Sequence, residues 1–314
     1  MNEWAKKLGP LLGLLLVVAL FSALRPRQFP TAANVEIMLL QTAVVGTAAL
    51  GMTLVIVSGG IDLSVGSQIA LATVGLATLL AHGWSPLAAA AAVVMLGGLC
   101  GVVIGGLVTG LRLSPFIVTL GMWGGLRGAA KGLANETIVV APVTWLNDLL
   151  TALPPDRTWA LVPAGVWLTI ALAAVVAVLL RFTILGRHIV AVGSNEQTAR
   201  LCGVEVTQTK LAVYTLASCL AAVAGVLQYA YLTVGDPTTA SGMELDIIAA
   251  VVIGGGSLAG GQGSVFGTLV GAVIMTVVAN GCTKLDLPNW VQEIVTGLII
   301  VSAVALDRFR QPRD

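Results

Sequence analysis

Apolar residues in this chain fall in long unbroken blocks separated by short polar punctuation, without the alternation of a half-buried strand or the single stripe of a surface helix. A helix that crosses a bilayer needs about 20 mostly apolar residues. By that rule the sequence predicts spans near 8–24, 35–57, 63–82, 86–108, 113–130, 159–180, 211–232, 240–256, 264–283 and 290–306. Glycines and two acids interrupt the eighth. Continuously apolar runs suit helices, whereas membrane barrel strands alternate. The expected fold is an all-α polytopic membrane protein of about ten transmembrane helices, forming one transmembrane domain over residues 1–314.

The punctuation is uneven. An outer loop over about 131–158 holds KGLANET, a Pro-Pro-Asp turn and Trp145, with Trp159 directly after it, aromatics of the kind that sit at headgroup level. An inner loop over 181–210 carries the densest mixture of charge and helix formers, with Ser194 or Asn195 placed to cap a short helix through Arg200. Lysine and arginine set the orientation. With the N-terminus inside, the cytoplasmic face receives Lys6, Lys7, Arg112, Arg181, Arg187, Arg200, Lys210, Arg308, Arg310 and Arg313, ten of the sixteen. Arg25, Arg27, Arg127, Lys131, Arg157 and Lys284 fall outside or near that face. Both termini are therefore expected in the cytoplasm. The apolar run after Lys6 and Lys7 is longer than a signal-peptide core and lacks a clean small-residue cleavage site, so it reads as a retained first span.

Composition agrees with the pattern. Of the residues 57% are hydrophobic and 10% charged, against roughly 25% charged in a soluble domain. The net charge of +1, without a basic aromatic patch, argues against nucleic acid as a partner. The cysteines Cys100, Cys202, Cys219 and Cys282 form no C-x-x-C pair and read as reduced packing residues. Glycines recur at spacing four: Gly97, Gly101 and Gly105; Gly106 and Gly110; Gly124 and Gly128; Gly267 and Gly271. Such spacing lets helix backbones approach closely in lipid, so each set is expected to pack.

No enzyme constellation stands out. None of the five lysines follows a glycine, which rules out a phosphate-binding G-x-x-x-x-G-K-[ST] loop. GGGSLA at 254–259 fits G-x-G-x-x-A but has no βαβ setting. His82 and His188 stand apart, and no metal site is expected. Ionisable groups at mid-bilayer cost about 2.5–3.5 kcal/mol on insertion scales. Ion-coupled carriers keep such groups as relays, and their scarcity here points to an energy source outside the chain. Glu244, Asp246 and Glu293 are expected in the first turns of their spans near the outer face.

One acid raises a separate question. Asp62 sits in VSGGIDLSVGSQ at 57–68, between two apolar blocks. It either caps the N–H groups that open the third span or lies, with Ser64, in broken backbone lining a cavity. The run GGSLAGGQGS at 255–264 repeats the arrangement at the same expected face. Two matched interruptions mark Gly60, Asp62, Ser64, Gly66, Glu244, Asp246, Gly254, Gly255, Gly260 and Gly261 as candidate path or structural-turn residues.

Four blocks then carry a resemblance. SGGIDLSVGS at 58–67, LSPFIVTLGMWGGLRG at 113–128, AVGSNEQTARLCGV at 191–204 and ELDIIAAVVIGGGSLAGGQGSVFGTLVGA at 244–272 closely resemble the ribose-type permeases of bacterial ABC sugar importers, in order, from about residue 35 to 306. Branched-chain amino-acid permeases share the architecture but differ at GIDLSVG, so the resemblance favours a carbohydrate cargo. It implies a multi-pass subunit of the inner membrane that pairs with a second permease copy or a paralogue. It further implies a periplasmic sugar-binding protein and cytoplasmic ATPase subunits that use ATP and Mg, with no cofactor on this chain. The 181–210 loop becomes the coupling segment, with Gly193, Asn195, Glu196, Ala199, Arg200 and Gly203 matching the family's G-G-N-x-x-A-A-R-x-x-G pattern. Ser194, Thr198 and Gln262 depart from the family's usual residues. Amino-acid or nucleoside cargo, and an ion-driven carrier, are the alternatives.

Overall fold

The computed structural model describes residues 3–153 and 161–310; Trp159, Arg157 and Arg313 lie outside the described residues. Among the described residues the chain is helical, and its only bridge is one antiparallel pair, Val139 with Gly235. The helices are α1 (Glu3–Leu24), α2 (Ala32–Val57), α3 (Val65–Ala81), α4 (Pro86–Gly110), α5 (Pro115–Leu133), α6 (Ala164–Phe182), α7 (Ile184–Ser194), α8 (Glu196–Leu201), α9 (Val206–Leu232), α10 (Met243–Ile253), α11 (Val265–Lys284) and α12 (Asn289–Arg310), with a 3-10 turn at Asn147–Leu150. Every predicted span contains a helix. Of these, α2, α4, α6, α9 and α11 are each long and apolar enough to cross a membrane.

The bundle is built around α2, which is buried almost without interruption from Met38 to Val57. Apolar burial alone gives no net drive for helix association in lipid, so close packing and interhelical hydrogen bonds must hold the bundle together. Three threonines on α2 meet hydroxyls on its neighbours: Thr42 with Thr276 at 2.6 Å, Thr47 with Thr169 at 2.9 Å and Thr53 with Thr268 at 2.8 Å. Each such bond is worth about 0.6–2 kcal/mol. At the far end Asn34 Nδ2 donates to Asn280 Oδ1 at 2.9 Å, which ties α2 to α11 again.

The spacing-four glycines divide into two groups. Gly97, Gly101 and Gly105 lie against the α9 backbone at Ser218, Tyr214 and Leu211, and Gly267 and Gly271 against α10 at Gly254 and Ala250. Gly106, Gly110, Gly124 and Gly128 face open space, contrary to the expectation that they pack within the chain. On α5 the open face also includes Gly121, Gly125 and Gly132, so the small residues there are not consumed by this fold.

Contacts sort the connections onto two sides. On one side the 25–31 turn meets the α11–α12 turn through Arg25 and Asp286 at 3.3 Å, and Val139 pairs with Gly235. The α3–α4 turn joins them through a cluster of Leu80, Ala89, Leu146 and Tyr229. Trp145 is exposed on this side. On the other side the α2–α3 turn, the α7–α8 pair and the α10–α11 turn converge. Gly105 beside Leu211 places the C-terminal end of α4 at the N-terminal end of α9 on that same side.

The eighth predicted span differs most from expectation. α10 has 11 residues, about 16 Å of helix, too short to cross by itself. α9 stops at Thr233, whose φ of 63° closes the helix in the left-handed region. From there the chain runs without helix down the side of α3, with Gly235 against Ala77 and Ala240 against Gly66. Gly235 also touches Thr73 and Val74, so seven to eleven helical residues separate the two points on α3 and the irregular segment descends about 11–16 Å before α10 begins. Glu244 consequently lies deep in the bundle beside the start of α3, far from the Val139–Gly235 end, and Asp246 is half-buried in the same first turn of α10.

Candidate functional site

The two glycine-rich interruptions meet, and α7 meets them there. Gly261 N donates to the Val57 carbonyl at 2.9 Å, and a Cβ added at Gly193 would overlap both that carbonyl oxygen and Gly261 N. Gly260 packs against Gly193 and Gly59. Three backbones thus touch with no side chain between them. α2 can end here because Gly59 takes φ of 80°, with Gly59 N donating to Ile56 O and Gly60 N to Val55 O, the bonding of a Schellman cap. Gly60 in turn lies under the buried Tyr214 hydroxyl. Gly255 closes α10 with the same bonds, to Val252 O and, through Gly256 N, to Val251 O.

Asp62 is buried directly above this junction. Its Oδ1 accepts from the Ser64 N–H at 2.8 Å and the Ser64 hydroxyl at 2.6 Å, and Gln68 Nε2 donates to its Oδ2 at 3.2 Å. Of the two readings of Asp62, the helix cap is corrected: Asp62 satisfies the residue that precedes α3 and a side chain one turn in, and no side chain caps the helix N–H groups themselves. The carboxylate closes a compact turn and organises Ser64 and Gln68.

Beyond the junction the inner loop holds two helices where the sequence predicts one. Only Thr183 separates α6 from α7, and it caps α7 by accepting from Gly186 N. Asn195 caps α8, its Oδ1 accepting from Thr198 N at 2.8 Å, whereas Ser194 bonds back to Val190 O. Glu196 receives Arg200 at 3.1 Å and Lys210 at 2.6 Å, the latter linking α8 to α9. Ala199 is buried with Val192 and Val206. α8 ends in a Schellman cap, with Gly203 N to Arg200 O and Val204 N to Ala199 O, at a Gly203 φ of 83°. Leu201 projects from the end of α8 with Glu196, Gln197 and Arg200 around an open depression. The matched pattern thus resolves into physical roles: Gly193 allows close approach, Asn195 caps, Glu196 and Arg200 form ion pairs, Ala199 packs, and Gly203 makes a left-handed turn.

A polar centre that the sequence does not reveal lies deeper. Arg127, expected at or near the outer face, is buried in α5, and its Nη1 donates to the carbonyls of Pro237 at 2.9 Å and Thr239 at 2.6 Å. Both carbonyls belong to the irregular segment that precedes α10. Gln228 Nε2 donates to Thr239 Oγ1 at 2.9 Å, and Asp236 Oδ1 closes a turn through Thr238. Glu244 packs against Gly66, where a Cβ would overlap its Oε2. Asp246 is half-buried one turn along from the start of α10, and Gly254 at the other end packs on the Gly267 backbone. The available signal for Arg127 is its isolation: it is the only charged residue between Arg112 and Lys131.

A family model described as "Branched-chain amino acid transport system / permease component" matches residues 34–304. The chain belongs to this permease family. The ribose import permease protein of Escherichia coli (strain K12) is 40% identical over 310 residues, 99% of this chain and 96% of that protein. That of Bacillus subtilis (strain 168) is 38% identical over 311 residues, 96% of this chain and 93% of the relative. The xylose transport system permease protein of Haemophilus influenzae is 34% identical, with 95% of this chain and 94% of the relative covered. No solved structure matches the chain.

Proposed function

We propose that the chain is the transmembrane permease subunit of an ATP-driven importer that carries a monosaccharide or related polyol across a bacterial inner membrane. The observation that carries this reading is 34–40% identity over more than nine tenths of the chain to permeases named for ribose and xylose. The fold supports it: a short capped helix pair stands out from the bundle and is tied by bare backbone to both glycine-rich interruptions, as an element pushed by a partner requires. ATP hydrolysis belongs to a separate cytoplasmic subunit that docks on α7 and α8, and sugar is delivered by a periplasmic binding protein on the opposite face. Ten passes with both termini in the cytoplasm agree with the sorting of the connections onto two sides, the eighth pass consisting of the 233–242 segment and α10 together. A second permease, identical or paralogous, completes the pathway.

Affinity purification of the tagged chain in mild detergent tests the reading, with the expected result a stoichiometric ATPase that co-elutes and sugar uptake that stops when ATP is withheld. Uptake by the chain alone, driven by an ion gradient, would replace this reading with a secondary carrier. The description of the family favours branched-chain amino acids as the second reading of the cargo, and the ligand held by the cognate binding protein decides between the two.

A further inference from the structure

The irregular 233–242 segment needs something to hold it at membrane depth. Backbone without helix leaves N–H and C=O groups unpaired, and in a bilayer these must be satisfied by protein or by a water-filled cavity. At its upper end Gly235 exchanges both backbone hydrogen bonds with Val139 of the outer loop, at 2.8 and 2.9 Å. Midway, the Thr73 hydroxyl donates to Asp236 O at 3.4 Å and Arg127 donates to Pro237 O and Thr239 O. At the lower end Ala240 and Glu244 close on Gly66, and α10 then leads through Gly254 to the Gly261 contact with Val57 and Gly193. One stretch of chain, 235–261, therefore touches the outer loop at its start and the α7–α8 pair at its end.

Arg127 is the cation that this stretch binds, and it is 8% exposed. Two carbonyls occupy its Nη1 while Nη2 has no partner among the described residues, and Glu244 Oε2, also buried, has none either. Glu244 and Asp236 lie within range of its charge. A buried charge is destabilising unless it is compensated, and these acids supply the compensating charge. We infer that Arg127 is the positioning residue of the 233–242 segment, and that this segment with α10 carries the effect of binding-protein docking on the outer loop to the coupling helices at the inner face. Both carbonyls are held by the single nitrogen Nη1, so a lysine ammonium can take over part of this role but cannot supply the second donor nitrogen Nη2.

The inference rests on the importer reading, and the test separates the two. The complex of permease, ATPase and binding protein is reconstituted in nanodiscs, and ATPase rate is measured without and with binding protein loaded with D-ribose or D-xylose. If no sugar that the binding protein holds, D-ribose and D-xylose included, stimulates the wild-type complex, the importer reading fails and takes this inference with it. Given wild-type stimulation, Arg127→Gln is expected to assemble with basal ATPase rate within about twofold of wild type and to lose at least tenfold of the stimulation. Arg127→Lys is expected to retain an intermediate part, and Glu244→Gln, which removes the counter-charge, to fall between the two. Unchanged stimulation in Arg127→Gln overturns the inference; so does a parallel fall of basal and stimulated rates in the variants that assemble, which is the mark of general damage. Should Arg127→Gln fail to assemble, Arg127→Lys and Glu244→Gln decide by the same ratio.

Discussion

Gly193 has no room for any side chain, because the Val57 carbonyl and Gly261 N occupy the place of its Cβ. Overpacking of this kind costs typically about 1–3 kcal/mol, and here the displaced atoms are backbone, which yields less readily than a side chain. Gly193→Ala is expected to insert normally and lose at least tenfold of sugar uptake in vesicles, as α7 lifts from α2; wild-type uptake would remove the three-way contact from the mechanism. Asp62 gives a graded case. Asparagine keeps the oxygen that accepts from Ser64, so Asp62→Asn is expected to keep most uptake. Asp62→Leu strands buried donors at about 1–3 kcal/mol each and is expected to lower yield and uptake together. An equally severe loss in both variants would show that the charge itself, not the hydrogen bonds, is what the position supplies, and wild-type uptake in both would show that it supplies neither. At this scale the sequence is informative where residue type dictates local geometry, as at Asn195 and Gly203. It marks Arg127 only by its isolation, because a lone arginine near the end of an apolar run is compatible equally with an interface and with a buried carbonyl pair.

Helices are legible in proportion to how much of their length is apolar and regular. α2, α4, α9 and α11 follow from composition alone. α7 escapes a reading of the sequence although Leu185, Ile189 and Val192 repeat at helical spacing, since arginine and histidine beside them dilute the signal over only 11 residues. α10 is overextended by three residues at each end, 240–256 against Met243–Ile253, because a hydropathy window counts small and apolar residues, the glycines 254–256 included, whether or not they are helical. The pairing of α8 with α9 gives a prediction at this scale. Lys210 is mostly buried and binds Glu196 across the Gly203 turn, whereas Arg200 is exposed and i,i+4 to the same acid, an arrangement worth only about 0.3–0.5 kcal/mol. Lys210→Met is therefore expected to impair co-purification of the ATPase more than Arg200→Met, and Glu196→Lys more than either. The reverse order would show that Arg200 faces the partner directly and that its bond to Glu196 is incidental.

For the whole molecule, sidedness is the property on which every functional statement depends, and the chain carries its own reporter. Of its four cysteines, Cys100 and Cys282 are buried and Cys219 is half-buried, while Cys202 is exposed at the end of α8. If α7 and α8 face the cytoplasm, a membrane-impermeant maleimide should leave the wild-type protein unlabelled in intact spheroplasts and label it in inverted vesicles, with Cys202→Ser abolishing the signal. The opposite side is read by Val143→Cys in the Cys202→Ser background, because Val143 is exposed on the outer segment that also carries Trp145. That variant should label in spheroplasts. The pair matters because either measurement alone could be defeated by a shielded thiol, whereas opposite accessibility of residues 202 and 143 fixes the two ends of the bundle independently. Labelling of Cys202 from outside would invert the topology, place the helix pair where a binding protein docks, and put the side that carries the 131–158 loop where an ATPase acts.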